Sequence, residues 1–526
     1  MLTATNPVPL SDAERQLFDE VVPTDHFRRR LPQVVDFEEF RASLESAYCG
    51  SGRPPIDCIL VLKLELLARQ FRWSDREVIA AAQFNVAYRQ FLGLSLKSPL
   101  PHHTSLTYFR QRIGAERLQE VFDTLVGQAR RLGLVKDRLR LKDATHVIAN
   151  IAVPSTIRLV AEIRDRLLEA LQPFAPMRVA EEFERAEAIR LGTEDVKDEE
   201  RLLQRVTQLR AILSWADECS VPADAAKAAG EKLASALALA HKVLADRDDP
   251  KAGDKVISAQ DPEARRGKHG HFFEGYLVDI TTDADSQMIT AMNVLPGNGN
   301  EGADAEQLIR QEEKAHGNDI ERLSIDGAGY RGELLRALTD PNDLNLEVFV
   351  PPTERIPLTV FGPERFTLSD DGKTLTCPAG QTTPYHERNI HDTGEKFRFS
   401  KKQCGGCAQR AECLSSPQGT HRTVIKNEYE PEYRAAQAKA KTEPYAEVRK
   451  EHPAIERKLS ELINRHDARH ARYRGTQRVR WQMLMTGMAV NLKRIVRLMG
   501  EKIASAPVRI GQQLDSLGTL RAEVTV

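Results

Sequence analysis

No run of about 18 or more consecutive apolar residues occurs in the chain, so no transmembrane helix is expected. Met1 to Asp12 lacks the charged and apolar regions of a secretory signal, which makes the cytoplasm the expected address. Net charge is lacking as well. The formal charge is −1 over 526 residues, so the field of the whole molecule says nothing about nucleic acid, and any such binding must come from local patches. Cysteine is sparse and odd in number: seven, at 49, 58, 219, 377, 404, 407 and 413. An odd count with four of them clustered fits a reducing compartment and a metal site better than a disulfide framework.

What is present is an ordinary globular mixture, 41% hydrophobic and 29% charged. The length exceeds one compact core, and about two to four domains are expected. Residues 1–135 read as helical. Pro54-Pro55 opens an apolar helix from Ile56 to Gln70, and Ser74-Asp75-Arg76-Glu77 is a capping box. Leu92-Gly93 ends the next helix. A third helix carries Tyr108, Arg110 and Arg112, and a fourth runs from about Glu116 to Leu132. Short helices with tight turns and an Arg- and Tyr-bearing member are compatible with a helix-turn-helix-like reader of DNA. The alternative is a bundle with a solvated basic face.

Leu139 to Ile148 reads as a strand. Leu139, Leu141, Asp143, Thr145 and Val147 share one face, Arg140, Lys142, Ala144, His146 and Ile148 the other. A carboxylate in line with leucines is costly to bury unless something pairs with it, and a bound metal is one such partner. Residues 151–250 then form a helical insertion, a hairpin or short coiled coil with no catalytic motif. Strands follow from about Phe272 to Thr281 and Met288 to Leu295, with Asp283-Ala284-Asp285-Ser286 as the turn between them. A helix is expected from about Ala303 to Ala315. Leu323-Ser324-Ile325-Asp326 ends a buried strand, followed by a glycine turn, a helix through Leu338 and a last strand at Val348-Phe349-Val350. Residues 351–440 form an irregular Cys-rich insertion, residues 441–500 return to helix, and 501–526 are a loose tail.

With the two insertions removed, the order is three strands, helix, strand, helix, strand, helix. That is the order of an α/β, ribonuclease-H-like catalytic domain, a mixed sheet with flanking helices, here built from 136–350 and 441–500. In that arrangement Asp143, Asp326 and Glu456 occupy places that converge. Phosphoryl transfer on DNA needs a nucleophilic oxygen activated and a leaving oxygen stabilised, which two Mg²⁺ ions (or Mn²⁺) roughly 3.5–4 Å apart accomplish. Such hard cations take oxygen ligands and keep several waters, so two or three carboxylates suffice. Gly327 and Gly329 beside Asp326 would let a phosphate backbone approach. Beyond Glu456 lies a basic stretch with Arg465, Arg469, Arg472, Arg474 and Arg478, interleaved with Tyr473 and Trp481, suited to phosphate contact. The spacing Cys377-x26-Cys404-x2-Cys407-x5-Cys413 can close a four-thiolate zinc site of structural character; the alternative is unligated thiols.

Taken together, these stretches resemble the DDE transposases of bacterial insertion sequences. Leu17-Phe18-Asp19-Glu20, Gly52-Arg53-Pro54-Pro55, Ser74-Asp75-Arg76-Glu77 and Phe91-Leu92-Gly93-Leu94 look like the family's N-terminal domain. Lys142-Asp143-Ala144-Thr145 looks like its first acidic motif. Gly275-Tyr276, Leu295-Pro296-Gly297-Asn298 and Ile325-Asp326-Gly327-Ala328-Gly329-Tyr330 look like its middle motifs. Ile455-Glu456-Arg457-Lys458-Leu459, with Arg472-Tyr473-Arg474-Gly475 and Asn491-Leu492-Lys493-Arg494, looks like its third. The cysteine insertion is similar to that of one branch. The resemblance implies a homodimer on double-stranded DNA, hydrolysis at the terminal inverted repeats of a mobile element, and attack of the freed 3′-OH on target DNA. It places the protein on the nucleoid when bound to DNA and gives Asp143, Asp326 and Glu456 the metal. One departure stands out. The places that some related transposases fill with Tyr, Arg and Lys around the glutamate hold Arg449, His452 and Ile463, with Glu461 and then Glu451 as substitute third acids. Readings outside strand transfer are a ribonuclease-H-like nuclease and a DNA-binding derivative without catalysis.

Overall fold

Caps and left-handed residues cut the N-terminal third into short helices. The computed structural model describes residues 10–48, 56–219, 227–300, 302, 304–353, 360–389, 393–416 and 418–505. Gly52 to Pro55 and the tail past 505 lie outside the described residues. The chain divides into two units, one of Met1–Lys136, Asp285–Met288 and Leu484–Val526, the other of Asp137–Ala284 and Ile289–Met483.

The first unit contains α1 (Asp12–Val21), α2 (Phe27–Val34), α3 (Arg41–Glu45), α4 (Cys58–Phe71), α5 (Asp75–Phe84), α6 (Val86–Leu92) and α7 (Thr104–Arg131). The carboxylate of Asp57 caps α4 by accepting from the Ile59 and Leu60 amides at 2.8 and 3.1 Å. Arg72, left-handed at φ 61°, ends it. The Ser74–Glu77 capping box forms as expected, and Gly93 at φ 70° closes α6. The expected third and fourth helices are the two halves of α7, which kinks at Gly114 (φ 66°, ψ 179°). Leu62, Leu64, Leu67, Leu118, Phe122 and Leu125 are fully buried.

The second unit is built on a mixed sheet: β1 (Arg140–Ile148), β2 (Arg265–His269), β3 (His271–Asp283), β4 (Ile289–Pro296), β5 (Arg322–Ile325) and β6 (Glu347–Phe349). The order is β2-β3-β1-β5-β6, with β4 also on β3. β3 runs antiparallel to β1, β2 and β4, while β5 is parallel to β1 and β6. The sequence reading missed β2, a short strand rich in basic residues and glycine that lacks the alternation of a half-buried strand. Since β1 is central, both its faces are covered. Arg140 and Lys142 are 0% exposed, which is tolerable only because each is paired. Arg140 donates to Glu312 at 3.0 Å and to Asp283 at 3.1 Å, and Lys142 to Asp279 at 3.0 Å. Glu312 lies on α12 (Ala305–His316), so the Arg140 pair ties that helix to the sheet.

The helical insertion holds α8 (Thr156–Leu171), α9 (Pro176–Gly192), α10 (Asp198–Ala216) and α11 (Lys227–Asp248). They pack around Leu159, Ile163, Leu167, Leu209, Ile212 and Val243. Among the described residues the insertion is a cluster of helices around one core, where a hairpin or short coiled coil was expected; α9 adds a further helix with few buried apolar residues, Val179 and Ala186 among them. After β5 come α13 (Gly332–Thr339) and β6. The Cys-rich insertion carries two three-stranded sheets, β7 (Thr367–Leu368), β8 (Leu375–Thr376), β9 (Thr382–Thr383) and β10 (His386–Arg388), β11 (Glu395–Arg398), β12 (Thr423–Lys426), with α14 (Lys401–Gly405) and α15 (Arg410–Cys413) between β11 and β12. Then α16 (Glu430–Lys439), α17 (Glu443–Glu451), α18 (Pro453–His466) and α19 (Thr476–Ser505) follow. Among the described residues no helix is long and apolar enough to cross a membrane.

Candidate active site

Asp143 sits at the middle of β1, opposite Ile280 of β3. On the other side β1 pairs with β5 through Lys142 and Ile325. Asp326 follows Ile325 directly, so the parallel register sets it beside Asp143. It begins the short turn Gly327–Gly329. The third acid arrives on α18, which packs on β1. What holds α18 there is the segment that follows it. The Ile148 amide donates to the Arg469 carbonyl at 2.8 Å and the Ala471 amide to the Ile148 carbonyl at 2.8 Å, so this segment extends the end of β1. Gly475 continues the lock, its amide donating to Asp261 and to the Tyr276 hydroxyl at 3.2 Å each. The Tyr276 hydroxyl itself donates to Asp261 at 2.7 Å. Gly275 is required next to it, since a Cβ there would stand 2.0 Å from the Val147 carbonyl oxygen. The motifs Gly275-Tyr276 and Arg472–Gly475 thus act by positioning.

Burial pushes the Asp143 carboxyl up to about 6, and the charges of Asp326 and Glu456 add to the rise. The Ala144 amide, donating to Asp143 Oδ1 at 2.8 Å, opposes it. Glu456 itself is exposed in the first turn of α18. The substitute acids are engaged elsewhere. Glu461 accepts from Lys458 at 2.7 Å, and Glu451 pairs with Arg138 at 2.7 Å. Gly329 is buried against Ile325, where a Cβ would meet Ile325 Cγ2 at 2.6 Å, so its smallness serves packing. Gly327 is open, with Pro351 Cγ at 3.9 Å as its nearest neighbour.

One residue that sequence reasoning noted only as a departure lies in this site. Arg449, on α17, donates to the Ser324 hydroxyl at 3.1 Å and the Ile325 carbonyl at 2.9 Å. Ser324 also shares a hydrogen bond of 3.0 Å with His452 Nδ1. Burial, and then the Arg449 charge, hold His452 down to about 4, so its ring is neutral near pH 7. The only sequence signal was the place of Arg449 on the helical stretch just before Glu456.

Among the described residues no three His, Cys, Asp or Glu side chains already stand in metal-holding geometry. The three carboxylates still fit Mg²⁺ in chemistry. They are hard oxygen donors that repel one another, and Mg²⁺ keeps several waters and takes one or two carboxylates per ion. The four cysteines also converge. Cys377, Cys404, Cys407 and Cys413 line one cavity of about 20 Å³, room for a single water-sized occupant. Burial pushes the Cys413 thiol up, Arg422 opposes, and the other three cysteines contribute to the rise.

The basic residues divide. Arg465, Arg474 and Arg478 are exposed, and Arg472 is half-buried. Arg474 touches the Asn150 carbonyl and Gln260 at 3.1 Å each, while Arg469 donates to the His146 carbonyl at 2.6 Å. In the N-terminal unit Arg110 is committed to Glu65 (2.6 Å) and Asp75 and is 14% exposed, so its charge serves the helix packing. Arg112 lies over the Tyr48 ring at 4.8 Å. Tyr108 is 60% exposed and lines an open cleft with Arg76, Phe84, His102 and His103.

Asp143 and Asp326 on neighbouring strands of a mixed sheet, with Glu456 near enough to act on Asp143, are an arrangement that phosphodiester chemistry can use. Residues 16–112 match the family described as Transposase domain (DUF772), and residues 376–496 match the family described as Transposase DDE domain. Together the two matches support an insertion-sequence DDE transposase, with transposition and DNA recombination as the processes they point to. The second match includes Glu456 and all four clustered cysteines; Asp143 and Asp326 lie outside both. No solved structure matches the chain.

Proposed function

We propose that the chain is a DNA transposase whose Asp143, Asp326 and Glu456 hold divalent metal for strand cleavage and strand joining. The observation that carries this reading is that Asp143 on β1 and Asp326 at the end of β5 lie on paired strands, and that Asp326 and Glu456 both act on the Asp143 carboxyl. The strand order β4-β3-β1-β5-β6, with β1, β5 and β6 parallel, supports a ribonuclease-H-like catalytic domain. When bound, the metal would favour both the attacking and the leaving oxygen of an in-line displacement. The protein's own part is to present ionised carboxylates at the sheet edge and to grip DNA phosphates with the exposed Arg465, Arg474 and Arg478. In cleavage, a water oxygen bonds to phosphorus and the bond to the 3′ oxygen breaks, leaving a 3′-OH and a 5′-phosphate, with the proton passing to solvent. In joining, that 3′-OH attacks a target phosphorus and displaces the target's own 3′ oxygen. The partners are double-stranded element ends and target DNA, bound by a homodimer. Zinc on the four cysteines belongs to the proposal as a structural part.

The test uses the full chain, Mg²⁺ and DNA bearing the element ends. Asp143→Asn and Asp326→Asn should abolish nicking, by about a thousandfold or more if metal binding is lost, while retaining band-shift affinity. Undiminished nicking in both variants would end the three-acid reading. Nicking without joined product would favour a ribonuclease-H-like nuclease over a transposase.

A further inference from the structure

We propose that Arg449 is a positioning residue of the carboxylate site, holding the strand end that carries Asp326 and serving as resident countercation to Asp143, Asp326 and Glu456 until metal arrives. This rests on the three acids being the metal site. Both hydrogen bonds of the guanidinium go to the two residues immediately before Asp326: the buried Ser324 hydroxyl and the buried Ile325 carbonyl. Arg449 therefore fixes where β5 stops and Asp326 leaves the sheet. Among the described residues it has no carboxylate at ion-pair distance; burial pushes its pKa down, while Tyr445 and then Asp326, Glu456 and Asp143 favour its charge. No one of the three acids takes that charge alone.

The other nearby cations are engaged with partners of their own. Lys142 lies on the opposite face, buried against Asp279 at 3.0 Å, and its charge reaches Asp143 through the strand. His452, on the same side as Arg449, is neutral near pH 7 and spends Nδ1 on Ser324. A guanidinium tied to the strand end that carries one of three neighbouring acids has two opposed effects. It relieves their mutual repulsion when no metal is present, and it competes with a divalent cation for the same field.

The two effects give the test its sign. Arg449→Gln should lower the melting temperature in chelator, tighten metal binding on the order of tenfold and still lose most nicking, because Asp326 is no longer held. Metal binding is read as Tb³⁺ luminescence, with displacement by Mg²⁺. Arg449→Lys should return metal affinity to the wild-type value while recovering nicking only in part. Asp143→Asn is the control for the site itself: if it leaves Tb³⁺ binding unchanged, the three-acid reading fails, whatever Arg449 does. If Asp143→Asn weakens binding but Arg449→Gln weakens it too, or leaves it unchanged, the countercation role is overturned. Should Arg449→Gln fold poorly, the double variant with Asp143→Asn decides: recovery of the chelator melting temperature supports the proposal, and no recovery overturns it.

Discussion

Under the proposed function Asp143 would face two opposite demands. To hold metal it would have to be ionised, whereas burial and two acidic neighbours favour its protonated form. Its folded value of about 6 lies above the ordinary 3.8, so the folded state holds the proton more tightly than the unfolded one. The stability this gives is present below about pH 4 and is lost as pH rises to about 6, at most on the order of 3 kcal/mol. In chelator, the gap in unfolding free energy between Asp143→Asn and wild type should therefore open across that window, with the variant the more stable at pH 7. Thermal melts at half-unit steps would show it; a gap independent of pH would mean that Asp143 is not strained by its neighbours. The sequence made this residue conspicuous, since a carboxylate among leucines is odd in any strand. It gave no hint of how Arg140 and Lys142 would be paid for on the reverse face. Their partners, Glu312, Asp283 and Asp279, are more than a hundred residues away, and only the register of β1 with β3 and the docking of α12 bring them in.

At the scale of elements, the periodicities located β3, β4, α12, β5, α13 and β6 to within a few residues, because each is a clean hydrophobic run bounded by turn residues. They could not show that the stretch after α18 would pair with the end of β1, since Arg469, His470 and Ala471 look like part of a charged ribbon. Yet that pairing ties the chain just after α18 to the end of β1. The Tyr276 hydroxyl is the keystone, linking β3 to Asp261 and to the Gly475 amide. Tyr276→Phe would leave the 1% exposed Asp261 without its hydroxyl donor, at a cost of about 1–3 kcal/mol. It should also loosen the turn that sets α18. The expected outcome is a lower urea midpoint and a fall in single-turnover nicking, with DNA affinity little changed. Full nicking at lowered stability would mean that α18 is placed by its own packing alone.

Across the whole molecule, stability is unevenly provided. The mixed sheet of the second unit and the N-terminal helices each bury many large apolar side chains. Among its described residues the Cys-rich insertion has a cluster of five buried hydrophobics, Phe366, Leu375, Phe397, Phe399 and Val424, with Cys377, Cys404 and Cys413 packed against it. Its strands are two to four residues long. A core that small rarely holds a fold without a staple, and four sulfurs around one small cavity are suited to supply it. The positions of Arg410 and Arg422 on the same cavity would offset the negative charge of a four-thiolate zinc centre. Purified protein should then contain about one zinc per chain. Removing it with a mercurial and chelator should open residues 360–426 to protease while the sheet from β1 to β6 stays protected, because that sheet draws on a separate core. Cys404→Ser should give the same selective cleavage without any chelator. A zinc-free preparation with an unchanged cleavage pattern would mean that the thiols only fill space, and that the insertion stands on its five hydrophobic residues and its hydrogen bonds.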